Sequence, residues 1–219
     1  MRISKLLKNG KKTEVFLDGK YAFFLYGGEV EKHGLREGEI LEPEIFATLH
    51  AQVLARGKRR TYHLLGKRDH TSHELRRKLV RGGYAEEDAE AILEYFKEKG
   101  FVDDVRYLED RIRQQGGRKS KNALAFGLRS QGLESRQVEQ ALVQAEGEGL
   151  LDDRASALDA ARKKVSGKWE RLEEMAWKRK LWSHLQYKGY SHETIGWVWE
   201  RLQEECLDRR EQEEDPEDR

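Results

Sequence analysis

A segment of this chain is used more than once. Thr71 to Asp104 aligns with Ser120 to Asp153 without a gap, at an offset of 49 residues, and a third copy centred on Gly189-Tyr190 follows after a further 57. A repeat of this length is the signature of an array in which each unit buries its apolar face against neighbours. Counting back from the glycine of each copy, Leu75 and Leu79 correspond to Leu124 and Leu128, then to Leu181 and Leu185. Counting forward, Ala89, Ile92, Leu93 and Phe96 correspond to Val138, Ala141, Leu142 and Ala145, then to Ile195, Val198, Trp199 and Leu202. Spacings of three and four place these residues on one helix face. Each copy therefore predicts two amphipathic helices joined by a tight turn, with Gly83, Gly132 and Gly189 at the left-handed end of the first helix. Thr71-Ser72-His73-Glu74 reads as a capping box. Asp103 and Asp152 stand where they cap the next helix, which completes a three-helix unit.

The expected fold is mainly α: three tandem three-helix repeats forming a curved elongated solenoid, with a small N-terminal β-hairpin subdomain. The divisions are a β subdomain over 1–42, a linker helix and repeat one over 43–104, repeat two over 105–153, repeat three over 154–206, and a disordered acidic tail over 207–219. In the β subdomain, Thr13–Leu17 and Tyr21–Leu25 flank Asp18-Gly19, a strong hairpin signal. Ile3–Leu7 supplies a third strand, and Gly34–Ile40 a turn into another short one. This subdomain reads as a cap over the first repeat. A helix is predicted from Pro43 to Ala55, with Ile45, Phe46, Leu49, Val53 and Leu54 inward and Gly57 interrupting it. Tyr62, Leu64 and Leu65 then open repeat one. Repeat two starts with Val105, Leu108 and Ile112 and stops at Gly116-Gly117. Repeat three starts with Ala155, Ala157, Leu158, Ala161 and Val165 and breaks at Ser166-Gly167.

Charged residues make up 38% of the chain and apolar ones 37%, which suits stacked small units rather than one large core. The single cysteine, Cys206, excludes an internal disulfide framework and fits a reducing compartment. It lies near the expected frayed end without an activating neighbour, so a catalytic thiol is not expected. No apolar run is long enough for a membrane span, and a cytoplasmic location is expected. Charge is uneven: residues 57–133 carry net +6 and residues 203–219 net −6. A basic middle points to a polyanion-facing surface.

Arg68-Asp69-His70-Thr71-Ser72-His73-Glu74-Leu75-Arg76-Arg77-Lys78-Leu79, then Gly83-Tyr84, a Glu-rich helix and Gly100-Phe101-Val102-Asp103-Asp104, resemble the opening module of bacterial RecX regulatory proteins. The tandem array and the Leu-Asp-Gly-Lys-Tyr-Ala hairpin resemble the longer members of that family. The resemblance implies a non-enzymatic regulator without cofactor. It implies binding to RecA and to its filament on single-stranded DNA, and a limit on filament extension, strand exchange, ATP hydrolysis and coprotease action. A monomer is expected, with weak direct DNA contact as a further expectation. The Trp-rich third repeat and the acidic end depart from the common pattern.

The candidate RecA- or DNA-binding residues are two basic clusters: Arg76, Arg77, Lys78 and Arg81, then Arg111, Arg113, Arg118, Lys119 and Lys121. Arg77 and Arg81 are four apart and share a face away from Leu75 and Leu79. Such rows neutralise phosphates or meet an acidic protein groove. The bland alternative is a solvated charged face. Trp199 falls on a repeat core position. Trp182 and Trp197 do not, and read as interface anchors or, preferably, as local core with the long first helix of repeat three. His63, Asp69, His70 and His73 fit no strong zinc spacing, so no metal site is expected. The pairs Asp103-Asp104 and Asp152-Asp153 recur at equal repeat positions, which favours helix capping over a nuclease metal site. No nucleotide-binding loop or nucleophile elbow is present. Rival readings are a helix-turn-helix DNA binder, opposed by the acidic helix carrying Glu86, Glu87, Asp88, Glu90 and Glu94, and a protein-only scaffold.

Overall fold

The computed structural model describes residues 1–167, 169 and 175–214. Among these it contains a three-stranded antiparallel sheet and ten α-helices. The chain divides into two compact units, Met1–Tyr107 and Leu108–Arg219.

The first unit begins with β1 (Ile3–Asn9), β2 (Lys12–Leu17) and β3 (Lys20–Tyr26), paired in that order. Asp18 and Gly19 both take positive φ, 48° and 82°, which matches the right-handed twist of the flanking strands in a two-residue hairpin. A short helix, α1 (Gly27–Lys32), follows where no element is legible in the sequence. The strand expected near Ile40 reduces to a single bridge between Arg2 and Ile40.

The sheet covers the first repeat. Val15, Phe23, Phe24 and Leu25 enter the same core as Leu49, Leu75, Leu79, Ile92, Leu93 and Phe96. Phe24 meets Tyr84 edge-on at 5.3 Å between ring centres. Lys12 Nζ donates to the Gly82 carbonyl and the Tyr21 hydroxyl donates to the Gly83 carbonyl. The carbonyls of the glycine turn thus find donors on the sheet.

One expectation is overturned by α2, which runs unbroken from Pro43 to Leu65. Gly57 does not interrupt it. Gly57 is buried, and a Cβ there would overlap Ile92 Cδ1 and stand 3.0 Å from Tyr84 Cε1. The glycine lets two helices approach closely, and packing outweighs its low helix propensity. The Thr61 hydroxyl donates to the Gly57 carbonyl at 3.0 Å.

Within each repeat the predicted face is buried. In α3 (Ser72–Arg81) and α4 (Glu86–Glu98), Leu75, Leu79, Ala89, Ile92, Leu93 and Phe96 are all inside. The same holds for Leu124 and Leu128 on α6 (Lys121–Ser130) and for Val138, Leu142 and Ala145 on α7 (Ser135–Gly147). Ala141 is half-buried. On α9 (Met175–Tyr187) and α10 (His192–Glu214), Leu181, Leu185, Ile195, Val198, Trp199 and Leu202 complete the set. Gly83, Gly132 and Gly189 have φ of 92°, 84° and 86°, the left-handed conformation the turns require.

The first helices of repeats two and three are α5 (Asp104–Gln115) and α8 (Asp153–Val165). Tyr107, Leu108 and Ile112 are buried, whereas Val105, expected inward, is exposed. Ser156 is buried and Ala155 exposed, the reverse of the expectation from an Ala-rich stripe. Trp177 and Trp199 are buried, and Trp169, Trp182 and Trp197 pack partly buried against the core of α8, α9 and α10. These tryptophans are local core.

The expectation of an unstructured tail from Leu207 gives way, because α10 continues to Glu214; residues 215–219 lie outside the described residues. Cys206 is buried, its thiol facing the Trp169 carbonyl at 3.5 Å, and the Arg209 guanidinium sits 4.4 Å from the Trp169 ring centre. Glu205 pairs with Arg162 of α8. These contacts extend an intrinsically helix-favouring acidic sequence beyond the last core residue.

The Asp-Asp pairs do two jobs. Asp103 accepts from the Val105 and Arg106 amides, both at 3.0 Å, and Asp152 accepts from the Ala155 amide at 2.9 Å. The second aspartate reaches back within its own repeat. Asp104 accepts from the Ser72 amide at 2.8 Å and from the Ser72 hydroxyl, and Asp153 accepts from the Lys121 amide at 2.8 Å. Each carboxylate sits at the positive N-terminus of the middle helix, where Thr71 or Ser120 provides the cap. Burial raises the Asp153 pKa, and the Lys121 amide only partly opposes it. Asp104→Ala is expected to cost about 2 kcal/mol, since it strands a helix-start amide and a hydroxyl, and Asp153→Ala about 1 kcal/mol. Urea denaturation of the two variants tests the order.

Candidate partner-binding surface

Four of the nine basic candidates have partners within the chain. Arg76 is turned toward α4, with Nη2 2.6 Å from Glu86 Oε2 and Nε 3.5 Å from Glu90 Oε2. Arg113 pairs with Asp110 one turn earlier at 3.1 Å. Lys121 pairs with Glu146 of α7. Arg111 is half-buried and engaged. Exposed pairs such as Arg76–Glu86 contribute roughly 0.2–1 kcal/mol, so their main effect is to neutralise the side chain's field.

The remaining five fall into two groups. Arg77 and Arg81 are exposed on α3 with Lys78 half-buried between them, and none of the three has an ion-pair partner among the described residues. Leu75 and Leu79 occupy the opposite face. In the second unit, Arg118 and Lys119 are exposed in the connection between α5 and α6, also without an ion-pair partner among the described residues. Arg118 lines a concavity with Lys163, Lys164 and Lys188, which sequence separation concealed.

A further cationic group in the first unit is invisible once α2 is broken at Gly57. On the continuous helix Arg56 and Arg60 are four apart. Arg56 pairs with Glu29 and lies over the rings of Phe24 and Tyr26, at 5.1 and 4.7 Å. Arg60 is exposed beside Gly82, the residue after Arg81. Burial, then the nearby Arg60 and Arg56, lower the Lys12 pKa, which records a positive field at the glycine turn. A helical-face reading of 56–63 would have found this cluster.

The histidine-containing stretch around His70 is structural. His70 is buried with Nδ1 2.8 Å from Glu74 Oε2, and Arg68 approaches the same carboxylate at 3.0 Å. Burial alone would raise the Glu74 pKa; the hydrogen bonds from Arg68 and His70 outweigh it and leave the pKa below the ordinary value. Thr71 Oγ1 accepts from the Glu74 amide at 3.1 Å, the N-cap contact expected. Among the described residues no three His, Cys, Asp or Glu side chains converge as a metal-binding group. No helix among them is long and apolar enough to cross a membrane.

Residues 58–96 match the family model described as RecX, first three-helix domain, and residues 152–199 match the model described as RecX, third three-helix domain. The chain is 38% identical over 136 residues to the protein named Regulatory protein RecX of Vibrio vulnificus (strain CMCP6), covering 60% of this chain and 83% of that one. To the Regulatory protein RecX of Clostridium acetobutylicum it is 26% identical over 205 residues, covering 92% and 94%. Among solved structures, one titled crystal structure of regulatory protein RecX superimposes with a TM-score of 0.57 at 22% identity, covering 90% of this chain and 98% of that one. The crystal structure of RecX from Lactobacillus salivarius does so with a TM-score of 0.58 at 18% identity, covering 70% and 98%. The structural matches carry the fold: mainly helical three-helix units.

Proposed function

This chain belongs to the RecX family of regulatory proteins, and on that footing we propose that it binds RecA and the RecA filament on single-stranded DNA and restrains filament extension. ATP hydrolysis and strand exchange by RecA fall as a consequence, without chemistry by this chain itself. The observation that carries the reading is the row of exposed Arg77 and Arg81 with half-buried Lys78 between them, three cations on one short helix without internal counter-charge among the described residues. A row of this kind meets phosphates or an acidic protein groove through many weak contacts. Arg118 and Lys119 offer a second such group. A groove-reading duplex binder is disfavoured by α4, whose Glu86, Glu87 and Glu90 are exposed.

The test is RecA-dependent ATP hydrolysis on single-stranded DNA, titrated with this protein at substoichiometric ratios. Inhibition at a small fraction of the RecA concentration is expected. The triple variant R77A/K78A/R81A is expected to need about tenfold more protein for the same inhibition and to show a shallower salt dependence. Arg76→Ala, which removes an internally paired cation, is expected to change it less. Thermal unfolding of the variants should match the parent because the positions lie at the surface. Unchanged inhibition by the triple variant sinks the assignment of this row.

A further inference from the structure

The second unit holds a concavity of about 390 Å³ whose wall is cationic. Arg118 comes from the connection between α5 and α6, Lys163 and Lys164 from α8, and Lys188 from the turn after α9. His184 of α9 and the buried Ser156 complete the wall. One carboxylate lines it, Asp159, and that group is already held by Lys163 at 2.7 Å. The Lys188 backbone is fixed, since its carbonyl accepts from the Ser120 hydroxyl at 2.7 Å. Four cations from three segments therefore face one small space with a single negative charge among them. Like charges brought together cost free energy that a bound anion recovers. His184 registers the field: burial, then Lys164 and Lys188, hold its pKa below the ordinary value.

We infer that this concavity is an anion site for a multiply charged phosphate group, a phosphomonoester or a polyphosphate. The charge count selects the class. A phosphodiester brings one negative charge to the cluster, whereas a terminal phosphate brings nearly two and a polyphosphate more. The volume lies within the range of small-ligand sites, so a phosphate enters with part of its hydration. The concavity shares Arg118 with the second basic group proposed for RecA, but Lys163, Lys164, Lys188 and His184 belong to neither proposed row, and the R77A/K78A/R81A test in the first unit does not read them, so either inference can fail alone.

The experiment follows the His184 imidazole resonance of the full chain by proton NMR, assigned by its loss in His184→Asn. Sodium tripolyphosphate is titrated against sodium chloride at matched ionic strength. A saturable shift with tripolyphosphate is expected, together with a rise in the His184 pKa, because the anion offsets Lys164 and Lys188 while Arg118, Lys163 and Asp159 stay in place. The double variant K164Q/K188Q is expected to weaken binding at least tenfold. Two oligothymidylates, one 5′-phosphorylated and one with a 5′-hydroxyl, separate the sources. A shift with the phosphorylated one only assigns the site to a nucleic-acid end as well as to free phosphates. A shift with tripolyphosphate alone assigns it to small phosphates. Equal shifts with both oligonucleotides overturn the charge selection. Absence of a saturable tripolyphosphate shift, or equal affinity in K164Q/K188Q, overturns the site.

Discussion

Phe96→Ala is expected to destabilise the first unit by about 4 kcal/mol, although the equivalent position of the second repeat is natively Ala145. Phe96 is fully buried and packs edge-on against Tyr62, Tyr95 and Phe101, with ring centres 4.7, 5.3 and 6.0 Å away. The third repeat uses Leu202 at this position. The same framework site thus accepts three volumes, each matched to its own surroundings. Removing the ring from the first repeat leaves Tyr62 and Phe101 facing a void, and the edge-on contact with Tyr95 vanishes with it. Ala145 of the second repeat is buried without a larger side chain, so the repeat alignment alone would wrongly suggest tolerance at Phe96. Urea denaturation followed by far-UV circular dichroism reads the loss. All five tryptophans lie between Trp169 and Trp199, in the second unit, so their fluorescence transition serves as the internal reference and should move less. A loss below about 1 kcal/mol would show that the first repeat collapses around the deletion.

Gly57→Val is expected to cost about 3 kcal/mol, against the sign that helix propensity alone would give. Propensity favours almost any residue over glycine in the interior of a 23-residue helix. The structure reverses this, because the space a side chain needs is filled by Ile92, which is fully buried and cannot yield without displacing its own neighbours. Gly127 on α6 is the control. A Cβ there meets nothing within 4 Å, so Gly127→Ala is expected to stabilise by up to about 1 kcal/mol. Thermal unfolding of the two variants should give shifts of opposite sign. Equal signs would mean that close approach at Gly57 does not govern the packing of α2 on α4.

These two positions mark where sequence pattern suffices and where it does not. The repeat framework was legible because periodic leucines, left-handed glycines and aspartate caps are all local signals. Gly57 misled because a glycine kept for close packing and one that ends a helix look identical in one dimension. Breaking α2 there also hid Arg56 and Arg60 as one face. The basic clusters were legible as composition, but which cations stay free depends on neighbours distant in sequence. Arg76 is neutralised by Glu86 and Glu90 of the next helix, and Lys121 by Glu146 of α7. The concavity of Arg118, Lys163, Lys164 and Lys188 needed three segments to be brought together. Cys206 and Arg209 show the same limit at the C-terminus, where contacts with Trp169 draw α10 past the last periodic residue.

The aspartate that reaches back in each of the first two repeats has a kinetic consequence. Ser72 to Asp104 and Lys121 to Asp153 are both separations of 32 residues. Each repeat therefore closes through a contact that lies within its own stretch of chain. The entropy of closing such a loop grows only slowly with length, and short closures come early in folding. A ribosome-bound chain could complete the first of these closures once residue 104 has emerged, and the second about fifty residues later. Assembly can then proceed in order of synthesis, one repeat at a time, without waiting for the acidic end of the chain.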